Sequence, residues 1–151
     1  MEMTKDNFCV KIHSFGFKNG VFDNANFIFD VRFLPNPYYI PELKEHNGTE
    51  KAVFDYVMSF DCSKHFFEKL CDMFSIIIPH YIENNKPEIV IGIGCTGGKH
   101  RSVTIAEALY KELNGKGINA TVSHRDINKE WFYGKNYVFT RSKRWTLRSQ
   151  I

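Results

Sequence analysis

The stretch Ile89-Val-Ile-Gly-Ile-Gly-Cys-Thr-Gly-Gly-Lys-His-Arg-Ser102 decides the fold. Ile89 to Ile93 is a continuous apolar run, the pattern of a strand covered on both faces, and it passes directly into a glycine-rich turn from Gly94 to Ser102. Behind the turn, Val103, Ala106, Tyr110 and Leu113 recur at helical spacing until Gly115 or Gly117 ends the pattern. Ile118, Ala120 and Val122 then alternate as a strand does. This order is a βαβ unit, and it predicts an α/β domain of three layers around a central, mostly parallel sheet with a glycine-rich βα phosphate loop.

Upstream, residues 8 to 15 alternate well enough for a strand, which Gly16 and Asn19-Gly20 interrupt. Phe27 to Phe33 reads as a second strand in which Asp30 and Arg32, two apart, share one face near its end. The prolines from Pro35 to Pro41 cannot donate to a sheet ladder and mark a loop. Thr49 is the expected cap of a short helix burying Val53, Val57 and Phe60. Ser63 is the expected cap of a longer one, whose stripe of Phe67, Leu70, Phe74, Ile77 and Tyr81 ends before Asn84.

The chain has 151 residues, one domain's worth, and its 43% hydrophobic and 25% charged content excludes a disordered or fibrous chain. No apolar run approaches the roughly 20 residues that cross a bilayer. The polar start Met1 to Asp6 lacks the pattern of a secretory signal, so a cytoplasmic location is expected. Cys9, Cys62, Cys71 and Cys95 form no CxxC pair and the histidines lack zinc spacing, so reduced thiols, no metal and no cofactor are expected. From Arg125 onward seven Lys or Arg face two acids, net +5, which leaves −2 for the rest of a chain whose total is +3. Residues 1–126 are thus read as the α/β domain and 127–151 as a basic, aromatic-rich C-terminal extension.

A loop that leaves a buried strand and opens a helix offers backbone N–H groups and the positive end of the helix dipole to an anion. Gly94, Gly97 and Gly98 allow close approach, Thr96 and Ser102 supply hydroxyls, Arg101 can grip two phosphate oxygens, and Lys99 and His100 add charge or donors. The loop is not a Walker A motif: Ile93 stands where its first glycine belongs and His100 where its Ser or Thr belongs. Strand ends bring Asp30 with Arg32, and His124 with Arg125, toward the same side of such a sheet. An alternative reading starts from Cys95, which precedes Arg101-Ser102 at the spacing of a cysteine-dependent phosphatase. Its catalytic residues would be Cys95 and Arg101, with Asp126 or Asp30 as general acid; otherwise Cys95 is a small buried residue.

Ser14-Phe-Gly-Phe-Lys18, Phe29-Asp-Val-Arg-Phe-Leu-Pro-Asn-Pro37, Gly92 to Ser102 and Ser123-His-Arg125, in that order, resemble the C-terminal domain of the RNase adapter protein RapZ family, over about Val10 to Asp126. That resemblance implies a phosphofructokinase-like domain which binds glucosamine-6-phosphate, takes part in RNA binding, self-associates into a homo-oligomer and carries no established turnover. Carried over, the sugar-phosphate pocket falls on Asp30, Arg32, Thr96, Gly97, His100 and Arg101. The family's nucleotide-binding domain with its own P-loop is not among these residues, so a separate P-loop protein is an expected partner. The C-terminal stretch departs from the family's short basic cluster by interleaving Arg141, Lys143, Arg144 and Arg148 with aromatics, as single-stranded RNA recognition requires. The expectation is a binding domain that senses a phosphorylated amino sugar, with phosphatase chemistry as the rival.

Overall fold

The computed structural model describes residues 2–129 and the backbone of 131–133, 137–139 and 145–147. Four strands, β1 (Cys9–Gly16), β2 (Phe27–Asp30), β3 (Glu88–Cys95) and β4 (Ala120–His124), form one sheet in the order β2-β3-β1-β4, every pair parallel. Three helices follow the strands: α1 (Lys51–Met58) and α2 (Asp61–Glu83) between β2 and β3, and α3 (Arg101–Gly115) between β3 and β4. The expected α/β architecture is therefore present. Short strands β5 (Trp131–Tyr133), β6 (Tyr137–Phe139) and β7 (Trp145–Leu147) pair antiparallel in the C-terminal stretch. Among the described residues, no helix is long and apolar enough to cross a membrane.

Side-chain alternation sorts the sheet into two faces. Val10 and Ile12 of β1 pair with Ile89 and Ile91 of β3, and all four are fully buried with Leu70, Phe74, Ile105 and Leu109 of the helices. On β2, Phe27 and Phe29 meet the ring of Phe74 edge-on. The opposite face is covered near its carboxyl end by the β1–β2 connection, whose Phe17 and Phe22 each pack on Phe15 of β1. Phe15 lies where side chains on Gly92 and Gly94 would stand. Helices, sheet and aromatic connection make the three layers.

Three boundaries differ from the sequence reading. The strand expected to reach Phe33 ends at Asp30, because Arg32 folds back and its backbone N–H and guanidinium both donate to the Asp30 carboxylate. Thr49 does not cap α1, since its N–H and hydroxyl are spent on the Asn47 side chain, and Glu50 takes the cap position. Phe60, expected inside, is instead the N-cap of α2, and the expected cap Ser63 is buried in that helix's first turn.

Candidate functional site

The chain leaving β1 crosses to β2 on the far side of β3, and the chain leaving β3 crosses to β4 on the far side of β1. Beyond the carboxyl ends of β1 and β3 the two connections therefore pass each other, the β1–β2 connection on one face of the sheet and α3 on the other, and ligands of open α/β sheets bind outside strand ends where the connections part to opposite faces. The glycine-rich turn occupies this position.

Two glycines fix the turn against β1. A Cβ on Gly16 would lie 2.4 Å from the carbonyl carbon of Gly97, so only a bare backbone fits. Gly98 has φ +76°, a left-handed conformation, and its Cβ would lie 2.6 Å from the Gly16 nitrogen. Asp126 locks the contact by accepting the Gly16 N–H at 2.7 Å, while Arg125 and Lys129 donate to the same carboxylate. Burial works to raise the Asp126 pKa, but these three donors outweigh it and hold the carboxyl below its usual range. It stays ionised, which suits a structural anchor and not the general acid of a phosphatase.

Arg101 opens α3 and is 5% exposed. One terminal nitrogen donates to the carbonyls of Arg32 (2.6 Å) and Leu34 (3.1 Å), and the other reaches Thr96 Oγ1 at 3.3 Å. Its Nε has no partner, and no carboxylate lies within ion-pair distance of it among the described residues. The Asp30 carboxylate is the negative group whose field reaches this guanidinium, at longer range than an ion pair. Beside it, Arg32 and Asp30 form an ion pair at 2.6 Å, both about half exposed, with the Arg32 guanidinium 4.2 Å from the Phe17 ring centre. The hydrogen bonds from Arg32 hold the Asp30 carboxyl below its ordinary range.

The other expected site residues are placed as follows. Lys99 is half-buried and burial lowers its pKa, although Glu45 and Glu50 work against this. His100 is buried, its Nε2 donating to the Lys44 carbonyl at 3.0 Å; burial, with Lys99 next to it, pushes its pKa down to about 4, so the ring is neutral. Cys95 is 3% exposed within the core, its Sγ 3.1 Å from Ser102 Oγ. His124 turns under the sheet end, 2.6 Å from Ser14 Oγ and 2.7 Å from Glu107 Oε1. Arg125 donates to Asp126 and to the Gly20 carbonyl and so ties down the β1–β2 connection. The structure places Asp30, Arg32, Thr96, Gly97, Gly98 and Arg101 around the turn, and Asp30, Arg32, Thr96 and Arg101 have protein partners there just as His100, His124 and Arg125 do elsewhere. Sequence reasoning missed Ser14, Gly16, Phe17 and Glu107. Gly16 and Phe17 had a signal in the Ser14-Phe-Gly-Phe-Lys18 motif, whereas Glu107 had none. Arg141, Lys143, Arg144 and Arg148 lie outside the described residues.

The four-stranded sheet is all-parallel, and a glycine-rich turn and a buried arginine stand at the carboxyl ends of its two central strands, which defines a class of three-layer α/β domains. Residues 8–128 match the family model of the RapZ C-terminal domain, and the chain belongs to that family. It is 50% identical over 129 residues to a nucleotide-binding protein of Clostridium novyi (strain NT) and 48% to one of Clostridium botulinum (strain Okra / Type B1). Identity to a nucleotide-binding protein of Caldicellulosiruptor saccharolyticus is 47% over the same length. Each match covers 85% of this chain and 44% of the relative, so the chain spans less than half the length of these proteins.

Proposed function

We propose that this domain binds a phosphorylated amino sugar of the glucosamine-6-phosphate kind at the glycine-rich turn, and passes that state to RNA through its basic C-terminal stretch. The buried guanidinium of Arg101, which makes no ion pair among the described residues, carries the reading, because its unpartnered Nε and the α3 amino end are the donors a dianion at the turn would use. Gly97, Gly98 and Thr96 supply the remaining donors. Asp30 is half exposed beside them and accepts from the sugar's ammonium and hydroxyl groups. Hydrolysis by Cys95 finds no help from Asp126, which is already ionised and enclosed by donors.

Calorimetric titration tests the proposal. Glucosamine-6-phosphate is expected to bind, inorganic phosphate to compete weakly, and glucosamine not to bind. Thr96→Val removes one hydroxyl and no buried tether of the main chain, and is expected to weaken the sugar phosphate about tenfold with the melting temperature unchanged. Equal affinity in Thr96→Val and Arg101→Ala would remove the turn as the site.

A further inference from the structure

Asp30 and Arg32 stand beside the turn already joined to each other. Arg32 Nε donates to both carboxylate oxygens, at 2.9 and 3.0 Å, a terminal nitrogen donates to Oδ2 at 2.6 Å, and the Arg32 backbone N–H reaches Oδ1 at 2.9 Å. Both oxygens that an incoming ammonium would use are therefore engaged, as are two of the nitrogens that an incoming phosphate would use. The field of the same carboxylate also reaches Arg101, so Asp30 is the shared counter-charge of both arginines. The pair can open at small cost. Its side chains are 49% and 45% exposed, a setting in which an ion pair adds little to the stability of a fold. The Arg32 guanidinium also lies 4.2 Å from the Phe17 ring centre, a contact that does not depend on the carboxylate. Arg101, by contrast, is buried and tied to the carbonyls of Arg32 and Leu34.

We propose, resting on the sugar-phosphate reading above, that Asp30 and Arg32 select ligands bearing both an ammonium and a phosphate by exchanging their mutual ion pair for one with each ligand charge. Such a molecule replaces one ion pair by two, Asp30 with the ammonium and Arg32 with the phosphate. A phosphate without an amine takes Arg32 and leaves Asp30 unpaired beside a second anion. An amine without a phosphate takes Asp30 and leaves Arg32 unpaired beside Arg101. Either half of the ligand thus loses to repulsion part of what it gains by attraction, and the penalty falls only on the wrong molecules. The substrate class is small zwitterions, of which amino-sugar phosphates are one kind and neutral-sugar phosphates are excluded.

Calorimetric titration with glucosamine-6-phosphate, glucose-6-phosphate and inorganic phosphate tests this in the wild type, Asp30→Asn, Arg32→Gln and the double variant. The wild type is expected to bind the amino-sugar phosphate about tenfold more tightly than glucose-6-phosphate. Asp30→Asn keeps an acceptor for the Arg32 backbone N–H but releases the guanidinium. It is expected to bind glucose-6-phosphate and inorganic phosphate about fivefold more tightly and glucosamine-6-phosphate less tightly, so that the two sugar phosphates converge. This gain is expected to vanish when Arg32→Gln is also present, because no guanidinium is then set free, whereas relief of simple repulsion by Asp30 would survive in the double variant. The exchange is overturned if Asp30→Asn leaves the affinities for glucose-6-phosphate and phosphate unchanged or lowered, or if its gain persists beside Arg32→Gln. Equal binding of the two sugar phosphates by the wild type would overturn the exchange and leave the turn as a sugar-phosphate site, while binding of neither would overturn both.

Discussion

Arg101 and His100 are consecutive, buried and basic in type, yet the structure spends them differently. Arg101 tethers the Arg32 and Leu34 carbonyls, so Arg101→Ala is expected to cost about 1–3 kcal/mol of stability as well as the ligand, measured by urea denaturation. His100 holds the loop that carries Lys44, and its ring is neutral because burial lowers its pKa to about 4. Its folded pKa lies below the ordinary value of 6.5, so the unfolded chain takes up the proton first. This residue's contribution is then intact above pH 6.5 and falls progressively as pH drops from 6.5 toward 4. Stability curves of the wild type and of His100→Gln are expected to converge as pH falls through that window. Parallel curves would assign the acid sensitivity elsewhere, with His13, whose pKa burial also lowers, the next candidate.

At the scale of elements, the glycine turn separates backbone strain from packing. Gly98 and Gly117 share φ +76°, but a Cβ on Gly98 would strike Gly16 and Asp126, while one on Gly117 would meet only the end of Lys5 at 3.4 Å. Gly117→Ala is expected to cost only the left-handed strain, about 1–2 kcal/mol. Gly98→Ala is expected to cost clearly more and to abolish sugar-phosphate binding, both read from urea denaturation and titration. The βα turn and its flanking strands were legible in the sequence because Ile89–Ile93 and the glycines leave a buried parallel strand as the reading that satisfies them. The caps were not legible. Thr49 and Ser63 are both N-cap residue types, and only the tertiary context assigns one to an Asn47 turn and buries the other. The chain of Ser14, His124 and Glu107 joins two strands and a helix across 110 residues, a proximity that spacing cannot reveal. Asp30 and Arg32 were expected to share a strand face, but β2 ends at Asp30 and the two meet through an ion pair instead.

At the scale of the whole molecule, charge is divided: residues 1–124 carry net −2 and the remainder +5. The proposed ligand site at the carboxyl end of the sheet is followed directly in the chain by a basic stretch that begins at Arg125, the residue tying down the β1–β2 connection. Under the proposed function, the Asp126–Lys129 ion pair is the link between the turn and the start of the C-terminal stretch. If the stretch binds single-stranded RNA, log affinity falls with log salt by about 0.7 for each phosphate neutralised. Arg141, Lys143 and Arg144 changed together to Ala are expected to flatten that slope by about two units while leaving the melting temperature in place. Glucosamine-6-phosphate at saturation is expected to shift the RNA affinity of the wild type, and RNA at saturation to shift the sugar-phosphate affinity by the same factor, because the two couplings are one free energy. Fluorescence anisotropy across a salt series, with and without the sugar phosphate, reads both. An unchanged slope in the triple variant would mean that the aromatics and charges of this stretch serve packing, and an RNA affinity indifferent to the sugar phosphate would leave the turn a binding site with no output through the C-terminal stretch.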